Sequence, residues 1–281
     1  MEKKFLLVGA LLLAGGFSTM NADVIYVTES GSGDGTSWSS AASLEDALSW
    51  AAAGDEVFVA KGTYTGSFKL RAAAKVYGNC VGTETEPPTY TTAEGLETFL
   101  KGPGGKRVLY LDGKASEIYG LDISGGDAST ETTGVGRGGG VYINNGGATL
   151  KYCNIHDNIG VDGSKNILGS NGKALKGVGG GLYVLNGRLE NCIIENNIAT
   201  TAPWEDTSKT WSTGIGGGIC LDATEGNGCN PDNAIVLNCI IRNNSTTPTD
   251  DGDSFQSQGG GIAIKSGKLI NSLVVGNSVN G

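Results

Sequence analysis

The chain carries no basic excess. Its 20 Lys and Arg face 29 Asp and Glu, a net charge of −9. Without a cationic patch to displace counterions, a nucleic-acid partner is excluded. A polyanion would need a bridging cation. Proline is scarce at 6 residues, and glycine follows no G-X-Y triplet, so neither collagen nor a Pro-rich linker fits. After Phe17 no apolar stretch approaches the roughly 18 residues of a membrane-spanning helix. What is abundant is glycine, 48 of 281 residues, which suits many tight turns between short strands.

The N-terminus reads as a secretory signal. Glu2-Lys3-Lys4 supplies a charged region, and Phe5 to Phe17 is an apolar run too short to span a bilayer. Small and polar residues lead to an expected cut after Ala22, although Met20 is an imperfect residue two places before it. No Cys follows the apolar run, so no lipoprotein box is read. The alternative is an uncleaved anchor. Residues 1–22 are therefore assigned as signal peptide, with a secreted or outer-surface address for the mature chain.

The main signal is a repeat. Glycine triplets open four segments: Gly138-Gly-Gly-Val-Tyr-Ile143, Gly179-Gly-Gly-Leu-Tyr-Val184, Gly216-Gly-Gly-Ile-Cys-Leu221 and Gly259-Gly-Gly-Ile-Ala-Ile264. The triplets start 41, 37 and 43 residues apart. Second blocks begin at Leu150, Leu189, Val236 and Leu269 and share the consensus L-x-x-C-x-I-x-x-N. Val141 and Ile143 point one way and Tyr142 the other, a strand with one buried face. In the second block the inward spacing is three, two, three. A flat strand keeps a spacing of two, so each three demands a corner. One repeat is then several short strands that wind once round, and stacked repeats build parallel sheets. The fold class read is all-β, a right-handed parallel β-helix solenoid. A helical reading fails on the β-branched content and on glycine triplets.

Like residues should then superpose. Asn158, Asn197, Asn244 and Asn277 form one inward column that can bond backbone groups at a bend. Asn191, Asn238 and Asn271 form another, with Tyr152 breaking it. These asparagines read as structural. Cys153, Cys192 and Cys239, continued by Ser272, read as reduced, packed thiols, since three members cannot all pair. Cys220 and Cys229 differ: a loop-closing disulfide and two separate thiols are both open there.

Upstream, Ser43-Leu-Glu-Asp46 resembles a capping box with Asp in place of Glu. Leu44, Ala47, Leu48 and Ala51 make an apolar stripe, and Gly54 a C-cap, so a short helix is expected over the open end of the first coil. Strands are expected at Val57–Ala60, Tyr64–Leu70, Lys75–Tyr77, Val108–Leu111 and Ile118–Ile123. The organisation is thus signal peptide 1–22, cap and first coils 23–124, and glycine-repeat coils 125–281.

Ile25-Tyr-Val27, Gly31 to Trp38, the short helix and Gly54 to Tyr64 resemble the N-terminal part of exported bacterial proteins with a pectin-lyase-like β-helix. The repeat is similar to the GGA-I and F-x-x-N repeats of polymorphic outer membrane proteins. Gly stands here for the usual Ala, and Ile155, Ile194, Ile241 and Val274 stand for the usual Phe. The resemblance implies the fold over nearly all of the mature chain. It implies little about activity, because lyases, hydrolases, adhesins and passenger domains share this fold. It also implies further coils or an anchoring module after Gly281, so a C-terminal truncation is expected.

Chemistry is sought in the loops between each Asn and the next triplet, which run through 125–137, 159–178, 198–215 and 245–258 and should share one flank. Trp204, Glu205, Asp206 and Trp211 could present a flat ring and carboxylates to a sugar, or the rings could fold back on their own loop. Asp250, Asp251, Asp253 and Phe255 share the next loop. The three Asp could offer oxygens to Ca²⁺, or form a solvated acidic loop. No other cofactor is expected. A polyuronate lyase needs a Lys or Arg base, and Lys151 and Arg242 stand outside the loops without a basic cluster. A glycosidase needs two carboxylates, and Glu205, Asp206 and Asp250 could supply them. The N-x-D, D-D, G-H-G and R-x-K set of polygalacturonases is missing. His156, the single histidine, reads as an outward strand residue beside Asp157. The resulting expectation is a non-catalytic surface β-helix that binds a glycan or a protein partner. Its alternatives are a polysaccharide lyase or glycoside hydrolase, and a spacer stalk.

Overall fold

The computed structural model describes residues 22–112, 115–144, 146–163, 177–201, 214–223, 231–246 and 259–279. Residues 1–21 of the expected signal peptide 1–22, Cys229 and every candidate loop residue from Trp204 to Trp211 and from Asp250 to Phe255 lie outside them.

The chain winds as a right-handed parallel β-helix. Each complete coil contributes one strand to an eight-stranded, a seven-stranded and a six-stranded parallel sheet, the first strands of the chain extend the two larger sheets, and later coils add a four-stranded one. The coil after the first glycine triplet shows the order. Val141–Ile143 lies in the six-stranded sheet, Ala148–Lys151 in the eight-stranded, Asn154–His156 in the seven-stranded and Ile159–Val161 in the four-stranded. The next coil repeats it in register, with Val141 beside Leu182, Leu150 beside Leu189 and Ile155 beside Ile194.

The three-two-three spacing is a sequence of corners. Tyr152, Asn191, Asn238 and Asn271 have φ of 53°, 54°, 54° and 44°, and Asp157, Asn196, Asn243 and Gly276 have 52°, 55°, 55° and 64°. One left-handed residue lies inside each gap of three and turns the chain so that the next inward side chain still faces the axis. Leu150, Cys153, Ile155 and Asn158 are all fully buried as a result. The left-handed residue is the one before the inward asparagine, so Asn158, Asn197 and Asn244 are free to serve as hydrogen-bonding side chains instead.

They form a ladder. Asn197 Oδ1 accepts from Asn158 N–H (3.1 Å) and Nδ2 (3.0 Å), and Asn197 Nδ2 donates to Ile155 O (2.9 Å) and to Asn244 Oδ1 (2.9 Å). Asn244 and Asn277 repeat the pattern. The ladder satisfies backbone groups that a corner takes out of the sheet. The cysteine column also superposes: Ile193 N–H donates to Cys153 O and Ile240 N–H to Cys192 O, each at 3.0 Å, and Cys239 N–H donates to Ser272 Oγ. The three thiols are buried and reduced. Burial above all, with the neighbouring Cys153 thiol, holds Cys192 well above the usual thiol range against the lowering contact with Cys239, so the column is inert packing.

A helix, α1, spans Leu44–Trp50 and buries Leu44, Ala47 and Leu48 on the end of the core. Ser43 Oγ accepts from Asp46 N–H (3.1 Å), and Asp46 Oδ2 accepts back from the Ser43 hydroxyl (2.8 Å), a shortened version of the expected box. The helix ends at Ala51, three residues before Gly54. The expected strand Tyr64–Leu70 is two, Gly62–Thr65 and Phe68–Leu70, separated at a corner. Ile118–Ile123 likewise divides into Glu117–Tyr119 and Asp122–Ser124 around left-handed Gly120. Val24–Val27 and Thr98–Lys101 add further strands to the first coils.

One expectation is corrected. Val141–Ile143 and Leu182–Val184 are buried on both faces, not one. Outward Tyr142, Tyr183 and Cys220 are 5%, 1% and 0% exposed and pack with Val178, Leu185, Ile215 and Ala263 into a second apolar layer. Arg107 ties down the chain that covers Tyr142. Its guanidinium lies over the Tyr142 ring (4.9 Å) and donates to Gly138 O (2.9 Å) and Gly134 O (2.8 Å). Burial lowers its pKa to about 10, which still leaves it charged. Nothing in the local pattern around Arg107 announces this role.

Candidate functional site

The loop roots stack on one flank. Ile159–Val161, Ile198–Thr200 and Ser245–Thr246 are successive strands of the four-stranded sheet, with Ile198 beside both Ile159 and Ser245. The chain leaves these strands into segments 164–176, 202–213 and 247–258. Two of those segments return at Gly177–Val178 and Gly214–Ile215, which pair with each other. The 125–137 loop joins the same flank through bridges from Asp127 to Ile159 and from Arg137 to Val178. Neighbouring roots are also bonded: Gly163 N–H donates to Thr201 Oγ1 (2.9 Å) and Asp162 N–H to Ser129 Oγ (2.7 Å). Thr201 and Thr246 immediately precede the segments that carry the tryptophans and the aspartates.

The sheet faces away from this flank carry matched charge. On the seven-stranded sheet Arg242 pairs with Glu195 (2.7 Å). On the eight-stranded sheet Lys151 lies 3.4 Å from Glu117 and 3.8 Å from Glu190, and Lys75 lies 3.8 Å from Glu56. The basic side chains considered as a lyase base are therefore occupied by carboxylates.

His156 is more constrained than an outward strand residue. Its Nε2 is 2.8 Å from Asp122 Oδ1 and its Nδ1 is 2.6 Å from Asp157 Oδ2. Asn154 Nδ2 donates to the other Asp122 oxygen (3.0 Å). The hydrogen bond to Asp122, with that to Asp157, raises the imidazole to about 9 against the burial that opposes it. It is therefore an imidazolium at neutral pH with both N–H groups committed, which removes it as a general base. Parallel stacking brings Asp122 to it from the previous coil, so the pair could not be read from the sequence.

A pH dependence follows. The folded chain holds this proton more tightly than the unfolded chain, whose imidazole titrates near 6.5. The stabilisation is complete below about pH 6.5 and is lost as pH rises toward about 9. We expect on the order of 2 kcal/mol, reduced from the full shift because Asp157 is solvent-facing. Urea unfolding of wild type and His156→Gln at pH 6 and pH 9.5 measures it. Equal pH dependence in the two proteins would refute the assignment.

Among the described residues no cluster of His, Cys, Asp or Glu could hold a metal ion, and no helix is long and apolar enough to cross a membrane. No protein-family model matches the chain, and no curated protein matches it. Two solved structures are similar. One is pectate lyase Pel9A, at 12% identity over 89% of this chain and 79% of that one, with a TM-score of 0.34. The other is an alginate lyase from Paenibacillus sp. str. FPU-7, at 17% identity over 92% of this chain and 99% of that one, also with a TM-score of 0.34. Likeness at this level does not carry activity. The β-helix stands on the chain's own sheets and register.

Proposed function

We propose that this chain is an exported β-helix that engages a polysaccharide through the loops of one flank. The observation that carries the reading is the stack of loop roots on adjacent coils. Adjacent strands lie about 4.8 Å apart. Loops rooted at that interval offer their residues to one ligand laid along the helix axis. Trp204 and Trp211 would cover the apolar faces of sugars, and Glu205, Asp206, Asp250, Asp251, Asp253 and Phe255 would line the same path. If Ca²⁺ takes part, Asp250, Asp251 and Asp253 are its ligands, and it would bridge to an anionic polysaccharide.

A glycan array with and without Ca²⁺ tests binding. For a glycan retained on the array, Trp204→Ala combined with Trp211→Ala is expected to weaken affinity at least about tenfold, near 1.4 kcal/mol. Unchanged affinity in the double variant would remove the tryptophan patch.

The second reading is a polysaccharide lyase or glycoside hydrolase; both similar structures are named as lyases. It is favoured by the pairing of Ile198 with Ser245, which roots the Glu205–Asp206 and Asp250–Asp251 carboxylates on neighbouring coils. Two catalytic carboxylates work at separations of roughly 5–9.5 Å, within reach of such neighbours. Incubation with pectin and alginate while following unsaturated-product absorbance, and with reducing-end detection, separates this reading from binding alone.

A further inference from the structure

Asp55 is a carboxylate held almost out of water, 9% exposed, at the capped end of the solenoid. Its Oδ1 accepts from the Asp23 backbone N–H (3.1 Å) and its Oδ2 from that of Ala52 (2.8 Å), just past α1. It thereby ties the end of the cap to the start of the first strand, Val24–Val27. Glu56 N–H donates to Asp23 O and Lys75 N–H to Asp55 O, both at 2.9 Å. Buried charges are ordinarily paired. Buried Asp122 and Asp222 each meet a cation, His156 at 2.8 Å and Lys265 at 2.7 Å. Among the described residues no Lys, Arg or His pairs with Asp55. The Lys75 side chain is engaged by Glu56 at 3.8 Å.

We propose that the cation of Asp55 is the α-ammonium of Asp23, created when the leader is removed between Ala22 and Asp23. Water adds across that peptide bond under an export peptidase. Ala22 leaves as a carboxylate, and Asp23 N takes up a proton. The nitrogen that stands 3.1 Å from Asp55 Oδ1 as an amide then carries the charge. A charge-assisted hydrogen bond is roughly twice as strong as a neutral one. The proposal rests on the export part of the reading above and not on glycan binding.

The arrangement selects one position. A cut one residue earlier leaves Ala22 in front and carries the ammonium about 3.8 Å further along the chain. A cut one residue later removes the Asp23 N–H that donates to Asp55 and the Asp23 O that accepts from Glu56. Asp23 as the first residue keeps every hydrogen bond of this corner and neutralises its buried carboxylate. The side chain of Asp23 itself is exposed and does not compete inside the corner. The tie forms only once the leader is gone, so the capped end gains this link after export.

N-terminal sequencing of the chain exported by a bacterial host is expected to read Asp23 first. The comparison is a chain with one glycine inserted between Ala22 and Asp23, whose exported N-terminus is that glycine. The insertion keeps the Asp23 amide and its bond to Asp55 and displaces only the charge. Cyanate reacts with the uncharged amine, so pairing is expected to slow carbamylation of the wild-type terminus at least about tenfold against the inserted one, the effect of one pKa unit. The insertion is expected to lower the thermal midpoint by roughly 2–4 °C. Asp55→Asn should raise the carbamylation rate of Asp23 to that of the inserted glycine. Any other first residue, equal rates or equal midpoints would each overturn the proposal, and the insertion decides the matter even if Asp55→Asn fails to fold. Retention of the leader removes the export reading as well, whereas Asp23 in first place with equal rates removes the ion pair alone.

Discussion

Replacing Asn197 with alanine is expected to lower the unfolding free energy by about 3–5 kcal/mol, the largest effect of any polar substitution in the repeat. The side chain is fully buried. Its loss leaves Asn158 N–H without its 3.1 Å acceptor and Ile155 O without its 2.9 Å donor, in a site too closed for water to replace them. Each orphaned group costs about 1–3 kcal/mol, and the lost link to Asn244 adds to that. Asn238→Ala is the control. Asn238 sits at a left-handed corner and is exposed, and among the described residues its Oδ1 accepts from the neighbouring Asn271 Nδ2 at 2.7 Å. Alanine there costs about 1 kcal/mol for the backbone angle. Urea unfolding of both variants measures the difference. Equal losses would mean that the buried ladder contributes no more than a surface corner.

The glycine triplet gives the second large effect, and its members are not equivalent. Gly179 has φ of +64°, a left-handed turn. Gly180 is pinned between backbones: a Cβ there would stand 2.3 Å from Ile198 O and 2.5 Å from Gly217 O. A Cβ on Gly181 would meet Gly218 O at 2.8 Å and the Asn197 amide at 2.9 Å. Gly180→Ala must push two coils apart, and we expect a loss of more than about 3 kcal/mol or a failure to fold. Gly181→Ala is less crowded, but it still needs the Gly218 carbonyl and the Asn197 amide to move, and we expect a smaller loss of about 1–3 kcal/mol. Soluble yield and thermal midpoint of the two variants check it. A Gly181→Ala protein less stable than Gly180→Ala would contradict the packing.

The two substitutions show why the repeat was legible. Stacking places residue above residue, so each coil repeats the demand its neighbour meets, and the demand appears as a column of Asn, Cys or Gly. The irregular parts carry no such copy. Arg107 lies in the less regular coils, and its acceptors Gly134 and Gly138 are about thirty residues away. Asp122 reaches His156 across a coil boundary. The strand breaks inside Tyr64–Leu70 and Ile118–Ile123 passed unseen because a single corner without a repeated partner looks like continuous strand. Of the candidate site, the loop segments and their shared flank could be traced from the asparagine and glycine columns. The arrangement of Trp204, Trp211 and Asp250 within them has no periodicity behind it, and all three lie outside the described residues.

By itself the sequence determined the winding: three-two-three spacing, β-branched inward positions and recurring asparagines admit one kind of coil, since any other reverses the buried face within a few residues. Only the tertiary structure decided what lies against the outside of that coil. It placed Tyr142 and Tyr183 under a second layer and held His156 as a cation between two carboxylates. The physical reason is range. Inward packing repeats at every coil and so is written locally, whereas outer contacts join segments far apart in the chain, and a local pattern does not encode them.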